Sequence, residues 1–108
     1  MNNYDDTAPK KEEAAPAKVA ALKMIRNKFS GTASETQRNR LRAAFEIFPK
    51  ISTQEARQYL DMLHPAGRVK ELRQQGCNIR TLWTTVETDA GCKHRVADYL
   101  WVREVGHA

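Results

Sequence analysis

The sequence predicts an α+β domain in which three helices precede a C-terminal β-hairpin, and three observations carry this. Two capping patterns, Ser34 with Gln37 and Ser52 with Glu55, each stand before an apolar stripe. Pro65 opens and Gly76 closes a third periodic stretch, as expected from the preference for proline in the first helical turn and glycine just past the last. Beyond Gly76, two runs rich in β-branched and aromatic residues flank a polar, glycine-containing break.

In the first helix Leu41, Ala44, Phe45 and Phe48 recur at three- and four-residue spacings. They form one buried stripe, which leaves Arg38, Arg40 and Arg42 exposed, and Pro49 stops the helix. In the second, Ala56, Tyr59 and Leu60 make the apolar face, and Ile51 before the cap is placed to staple the helix down. The third carries Ala66, Val69 and Leu72 as its stripe. The hairpin runs from Ile79 to Val86 and from Val96 to Val102 around Glu87-Thr88-Asp89-Ala90-Gly91, with a register that neither strand's alternation fixes. Phe45, Phe48, Tyr59, Tyr99 and one or both tryptophans are core candidates; Trp83 and Trp101 alone merit checking as base-stacking surfaces.

The chain has 108 residues, 41% of them hydrophobic, and 18 Lys plus Arg against 13 Asp plus Glu, a net charge of +5. This suits one small domain with polar ends and makes a polyanion a plausible partner. No apolar run approaches the roughly 18 residues of a membrane span, and no secretory signal opens the chain, so a soluble cytoplasmic protein is expected. Residues 1–32 read as a disordered or partly helical basic tail, residues 33–103 as the folded domain and 104–108 as a flexible C-terminus. Within the tail, Val19, Leu22, Ile25 and Phe29 allow either a short amphipathic helix or a frayed segment touching the domain only through Phe29.

Cys77 and Cys92 are too few for a disulfide scaffold, and a hairpin turning near Asp89 separates them by roughly 25 to 30 Å, far beyond bridging distance. They have no Cys-x-x-Cys or paired histidine spacing for a metal. There is no Gly-rich phosphate loop, no G-x-S-x-G turn and no isolated carboxylate pair, so no catalytic residue is assigned and no cofactor or small-molecule ligand is expected.

Helix, helix, turn, helix, hairpin is the order of a winged helix-turn-helix, in which the helix after the turn enters the DNA major groove and the hairpin forms the wing. Ile51-Ser52-Thr53-Gln54-Glu55-Ala56-Arg57, Leu63-His64-Pro65-Ala66-Gly67-Arg68-Val69-Lys70-Glu71-Leu72-Arg73, Gly76 and His94-Arg95-Val96-Ala97-Asp98-Tyr99 resemble the small winged helix-turn-helix proteins of bacteria, phages and prophages. The resemblance covers about Ser34 to Trp101 and implies double-stranded DNA binding in transcription regulation or mobile-element function.

On the third helix, taking Val69 as the centre of the buried face places Ala66 and Leu72 about 60° to either side and Gly67, Lys70, Glu71 and Gln74 facing the groove. Gln74 can contact adenine, Lys70 guanine and Glu71 cytosine, Gly67 permits close backbone approach, and Arg68 sits at the boundary. Arg73 lies toward the core edge, where Glu55 is a candidate partner. Phosphate contacts are expected from Ser52, Thr53 and Gln54, from His64, and from Arg80, Lys93 and Arg95 on the hairpin. Glu87 and Asp89 at the hairpin tip oppose DNA, which motivates the alternative of a protein-protein interaction module on the same fold. Half-site logic allows a homodimer, but no heptad seam supports one.

Overall fold

Proline at a helix start, glycine after a helix end and β-branched runs around a turn all act locally, and the elements they encode form where expected. The structure, a computed structural model, describes residues 15–103, so the expected tail before residue 15 and the C-terminus at 104–108 lie outside the described residues. In chain order the elements are α1 (Pro16–Lys28), α2 (Ser34–Ile47), β1 (Lys50–Ser52), α3 (Thr53–Tyr59), α4 (Pro65–Gln74), β2 (Ile79–Glu87) and β3 (Lys93–Trp101). The three expected helices are α2, α3 and α4; α1 and β1 add to them.

Of the two readings for Lys18 to Phe29, the helix is the one formed. Leu22 and Ile25 of α1 join Leu41, Ala44 and Phe45 of α2, Leu60, Val69, Leu72 and the strand residues Ile51, Ile79 and Tyr99 in one buried cluster. The packed unit therefore extends N-terminal of the boundary expected at residue 33. Lys18 fastens α1 from outside: its Nζ donates to the Lys50 carbonyl at 2.9 Å and stands 3.2 Å from a Glu55 carboxylate oxygen. Glu55 thus pairs with Lys18 and not with Arg73, because α1 covers the α3 face that the sequence had left open.

The capping box at Ser52 and Glu55 forms in both directions, and Ile51 before it is fully buried. The one expected at Ser34 does not form. Helix α2 begins one residue early, with Ala33 as its cap, so Gln37 falls outside the N3 position that the motif needs. The Gln37 amide donates instead to the Thr32 carbonyl at 2.7 Å, and the Ser34 hydroxyl accepts from Arg68 of α4 at 2.9 Å.

Arg40 corrects a second expectation, for it is 2% exposed rather than solvated. Its guanidinium donates to the carbonyls of Phe29 and Gly31 after α1 and of Leu60 (3.0 Å) and Asp61 (3.3 Å) after α3. The last carbonyls of a helix have no intrahelical partner and carry partial negative charge. One cation here serves two helix ends. Asp61, with φ 54°, turns the chain in the left-handed region that a short polar residue tolerates, and Met62 drops into the core before Pro65 starts α4.

The three strands form an antiparallel sheet in the order β1-β3-β2, with β1 pairing Lys50 to Leu100 and Ser52 to Asp98. The β2–β3 register runs without interruption from Ile79↔Trp101 to Glu87↔Lys93. Side chains alternate across a strand, so Ile79, Thr81, Trp83 and Thr85 share the helix-side face with Tyr99, Ala97, Arg95 and Lys93. Arg80, Leu82, Thr84 and Val86 point to the outer face. Near the helices the inner face is core, with Trp101 edge-on to Phe45 at 5.7 Å; toward the tip no described helix covers Trp83, which is 58% exposed. Cys77 is half-buried, Cys92 exposed, and both are free thiols.

Candidate nucleic-acid interface

Helix α4 presents two unlike sides, and the packing around it explains which residues fall on each. Pro65, Val69 and Leu72 are its buried residues, so the centre of the buried arc lies between Val69 and Leu72, about 30° from the Val69 centre that the sequence suggested. That rotation exposes Ala66, which was expected in the stripe, and brings Glu71 against α2 instead of the open side. Glu71 accepts from Arg38 at 2.8 Å and from Arg68 at 2.9 Å, and Gln75 accepts from Arg42. The hydrogen bond from Arg38, reinforced by the charge of Arg68, holds the Glu71 carboxyl below its ordinary range despite a smaller opposing effect of desolvation. Arg68 directs its two Nη groups to Ser34 and Glu71, while its buried Nε has no hydrogen-bond partner among the described residues. Two residues of the expected contact set thus hold α4 to α2.

The other side of α4 remains open. Lys70 and Gln74, one turn apart, are exposed, and the helix-start residue His64 is exposed without capping its helix. Gly67, half-buried one turn before Lys70, has nothing within 4 Å of where a Cβ would stand, so the backbone there is open to close approach. Arg73, expected at the core edge beside Glu55, lies exposed at this side's margin and joins α4 to the hairpin: it donates to the Ile79 carbonyl at 2.7 Å and to the Thr81 hydroxyl at 2.9 Å. Helix and wing are thereby held in a fixed relation.

At the start of α3, Ser52 is spent on its cap and Thr53 donates to the Ala97 carbonyl at 2.7 Å, while Gln54 is exposed and reaches only Gln58. These residues line an open groove of about 690 Å³ against Thr84 and Val86 of the hairpin. The hairpin cations separate by parity. Lys93 and Arg95 stand on the helix-side face with Trp83, whereas Arg80 points to the outer face, away from the α4 surface it was expected to join. The acidic tip, Glu87 and Asp89, is exposed. Leu63, 73% exposed just before α4, also borders the open side; an isolated leucine between a helix end and a proline carries no sequence signal for this.

A family model described as a winged helix-turn-helix domain matches residues 36–104. No curated protein and no solved structure matches the chain.

Proposed function

The chain belongs to the winged helix-turn-helix domain family, a fold generally used to bind DNA, and on that premise we propose that it is a sequence-specific double-stranded DNA-binding protein. It acts as a small transcriptional regulator or an accessory factor of a mobile element. The observation that carries this reading is the two-sidedness of α4: Arg68 and Glu71 are consumed by α2, while Lys70 and Gln74 extend unspent beside the bare backbone at Gly67. Lysine donates to guanine O6 or N7 and glutamine pairs with adenine, and both lie on one helix face as major-groove reading requires. His64, Gln54, Lys93 and Arg95 contribute around this face by contacting phosphate, which positions the helix without reading sequence.

Selection of DNA ligands followed by binding as a function of salt tests the proposal. The slope of log affinity against log salt should fall near roughly −3 to −4, as for the three or four cations Lys70, Lys93, Arg95 and His64, and a slope near zero would remove the reading. K70A and Q74A should alter base preference, each costing about 1–3 kcal/mol at the contacted position. Equal losses on every sequence from both would contradict the reading face.

The exposed acidic tip at Glu87 and Asp89 favours a second reading, a protein-interaction module on the same fold. A protein partner retained after nuclease treatment, together with a flat salt response on DNA, would select it.

A further inference from the structure

Trp83 is the largest exposed apolar side chain on the hairpin, and Arg95 of the neighbouring strand lies over its ring, 4.6 Å from guanidinium carbon to centroid. Both belong to the helix-side face of the sheet, in which Trp83 pairs with the buried Ala97 and follows Thr81 by one step of alternation. Thr81 is the residue that Arg73 of α4 holds, so Trp83 stands roughly 7 Å further along the same face, just past the end of the reading helix. A guanidinium held over an indole ring is attracted to the π face and still has N–H groups to donate; those of Arg95 make no hydrogen bond or ion pair among the described residues. Lys93 adds a second cation on that face but stands directly opposite Glu87, which shares the face, and Asp89 marks the tip.

We infer that the wing meets duplex DNA through the middle of this face and not through its tip, with the Trp83 ring against a deoxyribose and Arg95, oriented by that ring, forked onto the adjoining phosphate. The inference rests on the DNA-binding reading, which already gives Arg95 a phosphate, and adds Trp83 as the residue that orients it and meets the sugar. Charge selects the occupant: the middle of the face joins an aromatic ring to the Arg95 cation and fits a sugar-phosphate backbone, whereas toward the tip Glu87 offsets Lys93 and Asp89 adds a further negative charge that repels the same backbone. Trp83 is here a binding and positioning residue, and Arg95 a phosphate ligand whose geometry matters beyond its charge.

The test uses the full-length chain and a mixed-sequence duplex longer than one helical turn at low salt. Iodide quenching of tryptophan fluorescence, compared between wild type and W83F, isolates the Trp83 signal. Duplex should shield that signal from iodide and the same length of single strand should not. W83A should weaken duplex binding roughly three- to tenfold with an unchanged salt slope; R95K should weaken it comparably although the charge is kept, and R95A should also reduce the slope by about one. Normal duplex binding with Trp83 still open to iodide overturns the inference and leaves the DNA-binding reading standing, as does an R95K variant that binds like wild type. Shielding by single strand alone overturns it in favour of base stacking, and absence of any salt-dependent duplex binding removes both. Thermal melting of each variant, expected to match wild type because both side chains are exposed, separates lost contact from lost fold.

Discussion

Arg40 shows how much one side chain holds together in a domain this small. Its guanidinium satisfies carbonyls at the ends of both α1 and α3, so truncation strands one buried and three part-buried acceptors at once. At about 1–3 kcal/mol for the buried Leu60 carbonyl left unsatisfied, with smaller losses at the part-buried three, R40A should cost about 2–4 kcal/mol, a large share of the stability of a domain of this size. Urea denaturation checks this, and R40K should recover part of the loss by keeping the charge but not the fork. Glu71 is the second residue with a separable effect. Its carboxyl titrates lower in the fold than in the unfolded chain because Arg38 and Arg68 stabilise the anion. The stability it adds is present above the ordinary carboxylate range and disappears as pH falls through the lowered value. Wild type should therefore lose stability on that acid limb, and E71Q should be less stable at neutral pH yet flatter below it. Chemical denaturation across pH decides this; parallel curves for the two proteins would refute it.

Among the elements, α1 is the one whose status the fold decides. A twelve-residue stretch with Val19, Leu22, Ile25 and Phe29 at near-helical spacing reads equally as a helix or a frayed arm, and only the arrangement of α2 and α3 provides the surface that Leu22 and Ile25 enter. Leu22→Ala should cost about 2–5 kcal/mol, as for other fully buried leucines. Near-zero loss in thermal or chemical melting would mean that α1 is dispensable. Strand β1 is three residues long, too short for alternation to register, and it exists because β3 pairs with it from 46 to 50 positions away. The starts of α3 and α4 are different. A capping box and a proline act within four residues of themselves, and both elements begin where these signals stand.

At the scale of the molecule, three attachments give the chain its functional geometry. Arg38 joins α2 to α4 through Glu71 and Arg68 does so through Ser34, and Arg73 joins α4 to β2. Lys18 joins α1 to β1 and α3. Together they leave one side of α4 and the adjoining wing face open, and the surplus of positive charge in the span from His64 to Arg80 is thereby divided. Lys70 remains on the open side, Arg68 is spent inside, Arg73 at the margin is spent on the hairpin, and Arg80 points outward.

The sequence by itself determined the α2, α3, α4 and hairpin order, the turn at Gly91, the proline start and glycine exit of α4, and the family, because these signals act between near neighbours or as a short motif. Tertiary structure alone decided that Arg40 is buried, that Glu71 pairs with Arg38 of α2, and that Trp83 and Arg95 meet on an open face. Each of those outcomes depends on what a distant segment brings to the same place. A helical wheel fixes angles around one axis, but the number and direction of the elements packed on that helix set which arc is buried.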